Sequence, residues 1–222
     1  RDWSSDVCSS DLVANLPKVL DEPGNLDARG KMLLAASMGA TAFQKGLGMI
    51  HSMAHPLSAE FNIHHGLANA LLIKFGMEFT IAKTLETSNQ ALMEKLNLIG
   101  NIILNSTTED VTLLPENLNN FIHSLGISEG LKQHGVLSEQ IPILAQLAFE
   151  DSCHATHPFP VSIEDFHAVY TRALKGINND RIFITLSSPT STIAFPFNYR
   201  CFDSYQFNRF LGYSKSYSDT TH

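Results

Sequence analysis

Apolar residues recur with a helical period through most of the chain. In the segment SNQALMEKLNLIGNIIL the apolar positions follow the spacing i, i+4, i+7 and i+11, which places them on one face of a helix. These positions are Leu92, Leu96, Ile99 and Ile103. The upstream segment DARGKMLLAASMGATAFQK is rich in strong helix formers, with Asp27 at the expected N-cap and Gly46 and Gly48 as the stop. Both segments are therefore predicted to be helices.

The same kind of pattern predicts further helices downstream. They are expected at HSMAHPLSAEFN, HGLANALLIKFGMEFT, PENLNNFIHSL, SEQIPILAQLAFEDSCH and SIEDFHAVYTRAL. Pro56 is expected to kink its helix or to lie in its first turn, and Ser138 and Ser162 are expected to be N-caps. No segment of residues 13–176 has a convincing strand pattern, so the sequence predicts an all-α helical bundle.

The two ends of the chain differ from this middle part. Residues 1–12, RDWSSDVCSSDL, are rich in Ser and Asp and have no helical or strand period. We interpret them as a non-native, adapter-like segment, the alternative being a natural flexible N-terminus. Residues 177–222 hold half of the chain's aromatic residues without a sustained period, and are interpreted as an irregular tail that is out of frame or foreign. The alternative there is a β-hairpin extension that includes RIFITL.

Composition narrows the class of protein. The chain has 222 residues, of which 44% are hydrophobic, enough for one sizeable core. The formal net charge is −7 and no run of Lys or Arg occurs, so a nucleic-acid partner is not expected. No apolar stretch reaches the roughly 18 residues that a membrane span needs, and no signal peptide is visible.

The cysteines give no sign of a structural site. Cys8, Cys153 and Cys201 lie far apart and are odd in number, so they form neither a C-x-x-C metal site nor a disulfide framework. A reducing, cytoplasmic location is therefore expected.

Histidines are concentrated in one stretch, GLGMIHSMAHPLSAEFNIHHG, which holds four of the ten in the chain. His51 and His55 are four residues apart and would share one face of a helix. His65 lies at the start of the next predicted helix, from which a tight turn could return it to the same place. Neutral imidazoles suit zinc and first-row metals such as iron. Spacing alone leaves two interpretations open, a metal site and ordinary packing or surface histidines.

Two common motifs do not fit this stretch. The zinc-protease motif H-E-x-x-H needs Glu directly after the first His, whereas Ser52 follows His51. The segment GLGMIH is a near match to the dinucleotide-binding motif G-x-G-x-x-G, but His51 replaces the third Gly and no predicted strand precedes it.

The pattern G-L-G-x-x-H-x-x-A-H-P-L, followed downstream by H-G-x-A-N-A, resembles the signature of the iron-containing (group III) alcohol dehydrogenase family. The resemblance continues through EDSCHATHPFPVSIEDFHAVYTRAL and covers residues 13–176. It implies the family's C-terminal metal-binding helical domain, a dehydroquinate synthase-like α domain. Family members add an N-terminal nucleotide-binding domain and hold iron, or sometimes zinc, between the two domains.

The resemblance also implies roles for individual residues. His51 and His65 match metal ligands, and the family's set is one Asp and three His. His55 matches a residue near the nicotinamide and the substrate, which makes it the candidate catalytic residue. Cys153 matches a cofactor-binding position in some members. The implied reaction oxidises a small alcohol to an aldehyde or ketone with NAD(P), the metal (Fe2+ or Zn2+) acting as a Lewis acid on the substrate oxygen. The full-length family implies a homo-oligomer.

The chain departs from the family pattern in ways that matter. The upstream Asp-x-x-x-His that supplies the other two ligands is missing, as is the nucleotide-binding domain. Ser58, His64 and His157 replace the usual Gly, Pro and Asn. The chain is therefore expected to be a fragment that is inactive alone. The alternatives are a stand-alone helical metal-binding or assembly module, and a glycerol dehydrogenase or dehydroquinate synthase-like relative.

Overall fold

The computed structural model describes residues 3–104, 110–128 and 130–175, and it contains helices but no strand within those ranges. The α-helices are α1 (Trp3–Asp21), α2 (Leu26–Ala42), α3 (Gly48–Phe61), α4 (His65–Glu86), α5 (Gln90–Leu104), α6 (Leu114–Ser124), α7 (Ile141–Glu150) and α8 (Ile163–Lys175). Short 3-10 turns cover Phe43–Lys45, Val111–Leu113, Leu131–His134, Ser138–Gln140 and Ser152–Thr156. The predicted all-α fold is confirmed.

Helix α1 begins inside the segment for which no helix was predicted. It runs from Trp3 to Asp21 and packs along α2, with contacts to α5 as well. Val19 and Asn15 are buried on its inner side, and the Asn15 amide donates to the carbonyl oxygen of Asp11. Tertiary packing thus stabilises a helix that local periodicity does not show. Residues 3–12 are thus helical although their sequence has no helical period, while the interpretation of their origin stays a prediction. Residues 177–222 lie outside the described residues.

Two predicted helix caps are corrected and one is confirmed. Helix α2 is capped by Asn25, whose side chain accepts from the Ala28 N–H, while Asp27 instead pairs with Lys31. Ser138 begins a 3-10 turn rather than capping α7. Ser162 does cap α8, because its hydroxyl accepts from the Asp165 N–H and the Asp165 carboxylate accepts from Ser162 in return.

The main core lies between α3, α4, α7 and α8. Its largest fully buried side chains include Met49, Met53, Leu57, Leu72, Leu144, Phe166 and Tyr170. Pro56 lies in the middle of α3 and is buried there, not in the first turn. The Tyr170 hydroxyl donates to the main-chain oxygen of Met53 at 2.6 Å, which fixes α8 against α3. Helix α3, which carries two of the candidate histidines, is therefore held on several sides.

A second core forms where α5 and α6 pack against α4. Leu96 is buried in it, and Leu92, Ile99 and Ile103 pack against it. The apolar face predicted for α5 is thereby confirmed. None of the described helices is long and apolar enough to cross a membrane.

Candidate active site

A tight turn between α3 and α4 brings the candidate histidines together. Helix α3 ends at Phe61, its C-cap Asn62 adopts a left-handed conformation with φ of 52°, and α4 begins at His65. Ile63, between them, is buried in the main core and anchors the turn. Asn tolerates the left-handed region better than most residues, so the chain reverses without a glycine.

The turn places three imidazoles in a cluster, which we call the histidine cluster: His51, His55 and His65. The ring centroids of His51 and His65 lie 5.3 Å apart, and those of His55 and His65 lie 5.2 Å apart. The centroids of His51 and His55, one helical turn apart on α3, are separated by 6.2 Å. The structure therefore brings together all three histidines that the sequence singled out.

Asp151, at the end of α7, orients His55. Its Oδ2 accepts a hydrogen bond from Nδ1 of His55 at 2.7 Å. Its Oδ1 accepts from the Ser52 hydroxyl at 3.0 Å and from the Cys153 N–H at 2.8 Å. Burial favours a higher pKa, but the hydrogen bonds from His55, Cys153 and Ser52 outweigh it and hold the pKa of Asp151 well below its usual range. The carboxylate is thus ionised, and Nδ1 of His55 must carry the proton.

A 3-10 turn, Ser152–Thr156, holds this arrangement against α3. The Thr156 hydroxyl oxygen accepts from the main-chain N–H groups of Leu47 and Gly48, at 3.1 and 3.3 Å, and so satisfies donors at the start of α3. Gly46 has a φ of 104°, and a Cβ there would overlap the Thr156 side chain. The first glycine of the motif G-L-G is therefore required by this close approach.

The described geometry joins the histidine cluster, the α3–α4 turn and a half-buried carboxylate in one site. The family model of the Fe-containing alcohol dehydrogenase family, C-terminal, matches residues 8–174. The chain belongs to this family. The family's members that it matches are oxidoreductases.

Individual relatives show how much of such a protein the chain represents. It is 33% identical over 160 residues to the "Probable alcohol dehydrogenase EutG" of Escherichia coli K12, covering 72% of this chain and 38% of that protein. It is 30% identical over 161 residues to the "NAD-dependent methanol dehydrogenase" of Bacillus methanolicus, covering 72% and 41%. The chain thus spans about two fifths of the length of these relatives.

A solved structure of a 1,3-propanediol oxidoreductase has the same fold. It superposes with a TM-score of 0.69 at 24% identity, covering 78% of this chain and 44% of that one. The likeness supports the helical architecture described above.

The family's metal chemistry fits the donors at His51 and His65. Partial burial lowers the pKa of the His51 imidazole, and the nearby His65 and His55 lower it further. Partial burial also lowers the pKa of His65, together with His55 and His64. Both rings are therefore neutral at pH 7, the form that binds a metal. Among the described residues, neither belongs to a group of three convergent His, Cys, Asp or Glu donors, so the described donors do not complete a metal site around this pair.

Cys153 lies beside His55 and Asp151. Burial, followed by the neighbouring Asp151 carboxylate, raises the pKa of its thiol to about 11, so the sulfur is protonated at neutral pH. A protonated, half-buried thiol is a poor nucleophile but can pack or donate a weak hydrogen bond. The structure thus places Cys153 at the His55 side of the histidine cluster.

Sequence reasoning missed Asp151 and Ser52. Asp151 stands 96 residues from His55 and at the end of a different helix, so no local spacing connects them. The sequence held one indication of Asp151, the Asp-Ser-Cys that directly follows α7. An Asp between a helix and a turn can cap the turn through its own side chain. Ser52 was noted only as the residue that excludes a zinc protease.

Proposed function

We propose that the chain supplies the metal-binding half of an NAD(P)-dependent alcohol dehydrogenase, which interconverts a small alcohol and its aldehyde or ketone. The observation that carries the proposal is the convergence of His51, His55 and His65 across the α3–α4 turn, in a chain of this family. The proposal assigns this role to residues 13–176, which the match over residues 8–174 supports. The name of the NAD-dependent relative supports NAD(P) as the cosubstrate.

In the proposed mechanism His51 and His65 bind a divalent metal, Fe2+ or Zn2+. When bound, such a metal acts as a Lewis acid on the oxygen of the alcohol or carbonyl. Both imidazoles would bind as neutral ligands, because burial and neighbouring histidines lower the pKa of each ring. The Asn69 amide lies 3.1 Å from Nε2 of His65 and also donates to the His65 carbonyl oxygen, so it restrains this ring.

His55 is proposed to move a proton at its Nε2. Asp151 holds the other ring nitrogen in its protonated form, which leaves Nε2 free to accept a proton from a substrate hydroxyl or a bridging water. About two fifths of the His55 side chain is exposed, so substrate can reach it. Cys153 lies next to His55 and is proposed to contact the bound NAD(P) cofactor.

The proposal includes two statements about the chain as a whole. First, this 222-residue chain alone is inactive, because it carries two of the family's four ligands and no Gly-rich nucleotide-binding segment. Second, the assembled enzyme works in the cytoplasm as a homo-oligomer, without a nucleic-acid or membrane partner. Its small-molecule partner is an alcohol or aldehyde.

The test uses the purified full chain after dialysis against a chelator. Fe(II) or Zn(II) is added back, and alcohol-dependent NAD(P) reduction is followed together with metal affinity. The proposal predicts no turnover, and metal binding that weakens at least tenfold in His51→Ala and in His65→Ala. His64→Ala is the matched control, since His64 is adjacent but has no proposed ligand role. Robust turnover would contradict the statement that the chain is inactive alone.

A stand-alone metal-binding module is the second candidate. It is favoured by the preformed turn, which places His51, His55 and His65 together without any further domain. This candidate predicts tight binding of one metal per chain that is lost in His51→Ala. The alcohol dehydrogenase proposal predicts that a metal at His51 and His65 binds only weakly in the isolated chain, since half of the ligands of that site are missing.

A further inference from the structure

A second set of potential metal-binding side chains is grouped around the contact between His55 and Asp151. His55, Asp151 and Cys153 each offer a ligand atom, and these atoms all lie within 4.8 Å of one another. Neither His51 nor His65 belongs to this group. Among the described residues it is the one convergent group of three such donors.

The donor set matches zinc. It combines an imidazole nitrogen, a carboxylate oxygen and a sulfur, all of which zinc binds at about 2.0–2.3 Å. In a tetrahedral site these atoms stand about 3.3–3.6 Å apart, a value that follows from the same bond lengths. The three ligand atoms, which now lie within 4.8 Å of one another, therefore need to move only slightly closer together to bind one zinc ion. Thiolate sulfur favours zinc over magnesium or calcium.

The surroundings of Asp151 prepare it to be a ligand. Its Oδ1 is held by the Ser52 hydroxyl and by the Cys153 N–H, so the carboxylate keeps its orientation. Its Oδ2 accepts the hydrogen bond from His55, so a metal that binds Oδ2 replaces the proton of that bond. Supporting hydrogen bonds of this kind orient carboxylate ligands in zinc sites. The side chains of His55 and Asp151 are 41% and 23% exposed, which gives a cation access and leaves room for water as fourth ligand.

We propose that His55, Asp151 and Cys153 form a zinc site separate from the His51–His65 pair. Binding forms bonds to a His55 nitrogen, to Oδ2 of Asp151 and to the Cys153 sulfur. The Cys153 thiol releases its proton to solvent. If Nδ1 of His55 is the ligand, Nδ1 loses its proton and Nε2 gains one, so the ring stays neutral. The charges of Zn2+, one carboxylate and one thiolate then cancel. Because His55 cannot also serve the substrate, zinc at this site excludes the role proposed for His55 above.

Cobalt(II) tests the proposal because a thiolate ligand gives it a strong charge-transfer band in the near ultraviolet. The full chain, reduced and metal-free, is titrated with Co(II). We expect the band to saturate at one equivalent and to disappear when one equivalent of Zn(II) is added. Its absence from the unmodified chain would overturn the proposal.

Four variants show whether the band comes from this site. Cys153→Ser abolishes it and Asp151→Asn weakens binding at least tenfold, with far-ultraviolet circular dichroism confirming that each variant is folded. The double variant Cys8→Ser/Cys201→Ser is the matched thiol control and keeps the band. His51→Ala also keeps it, which separates this site from the proposed catalytic metal. A band that persists in Cys153→Ser, or that is lost in His51→Ala, contradicts the assignment.

Discussion

Oδ2 of Asp151 accepts a hydrogen bond from Nδ1 of His55 at 2.7 Å, across a separation of 96 residues. The carboxylate is ionised, because its pKa is held well below the usual range despite partial burial. In its neutral form the His55 ring is thereby fixed in the tautomer with the proton on Nδ1. This contact links the end of α7 to the middle of α3, and it determines which nitrogen of His55 is available to a substrate.

Asp151→Asn should therefore reverse the tautomer of His55. The Asn oxygen can still accept from Ser52 and from the N–H of Cys153, so its amide NH2 must face Nδ1 of His55. That nitrogen then becomes an acceptor and the proton moves to Nε2. Nitrogen-15 shifts of the His55 ring at neutral pH measure the change.

The matched control for this experiment is Glu150→Gln. Glu150 is the adjacent carboxylate and is exposed, with the Gln146 amide as its partner. Its replacement should leave the His55 ring shifts unchanged. An unchanged tautomer in Asp151→Asn would show that Asp151 does not orient His55.

Gly46→Ala should strongly destabilise the protein. The residue combines a φ of 104° with a close approach to Thr156, so an added methyl group strains the backbone and pushes the 3-10 turn off α3. We expect a loss of about 2–4 kcal/mol in the free energy of unfolding, measured by urea denaturation. Gly24→Ala is the control, because a Cβ there meets no atom within 4 Å, and it should change stability by no more than about 1 kcal/mol. Equal effects at both positions would contradict the close contact.

His157 should make stability depend on pH. Burial, followed by the nearby His154, lowers its pKa to about 4 from 6.5, and its Nε2 is buried without a hydrogen-bond partner among the described residues. Below pH 6.5 the unfolded chain binds a proton that the folded chain binds only near pH 4. The folded state therefore loses stability as pH falls through this window, by up to about 3 kcal/mol.

His157→Asn should remove this contribution. The difference in unfolding free energy between the two chains should be constant above pH 7 and should shift in favour of the variant between pH 6.5 and 4. Urea denaturation at a series of pH values measures it. A difference that stays constant down to pH 4 would mean that His157 is protonated as readily in the folded chain as in the unfolded one.

Tyr170→Phe should weaken the link between α8 and α3. The ring stays in the core, but the Met53 carbonyl oxygen loses the hydroxyl that donates to it. We expect about 0.5–1.5 kcal/mol of destabilisation in urea. Thr171→Ala, on the exposed side of the same helix, should change stability by no more than about 0.5 kcal/mol.

The sequence predicted those features that depend on neighbours in the chain. The apolar face of α5, the cap at Ser162 and the grouping of His51 with His55 all follow from helical spacing. Features that depend on distant packing were missed. Helix α1 has little period of its own, and Asn25 took the cap expected of Asp27 because α2 begins at Leu26.

The candidate site shows the same division. Its histidines stand close together in the sequence and were predicted as a group, with their roles taken from the resemblance to a family. Asp151 and Thr156 join the site from about 100 residues away, through contacts that no local pattern encodes. Predicting them requires the packing of the Ser152–Thr156 turn against α3.

The most direct test of the central claim is whether His51 and His65 bind the same metal ion. The full chain carries Cys153→Ser, which removes the thiolate of the other proposed metal site, and is labelled with nitrogen-15 at histidine. Co(II) is added to this chain and to the same chain with each further substitution, and the paramagnetic shifts of the ring signals are recorded. The account predicts large shifts for both His51 and His65, lost together in His51→Ala and in His65→Ala, and retained in His64→Ala. Shifts of either ring that survive removal of the other, or that depend on His64, would contradict it.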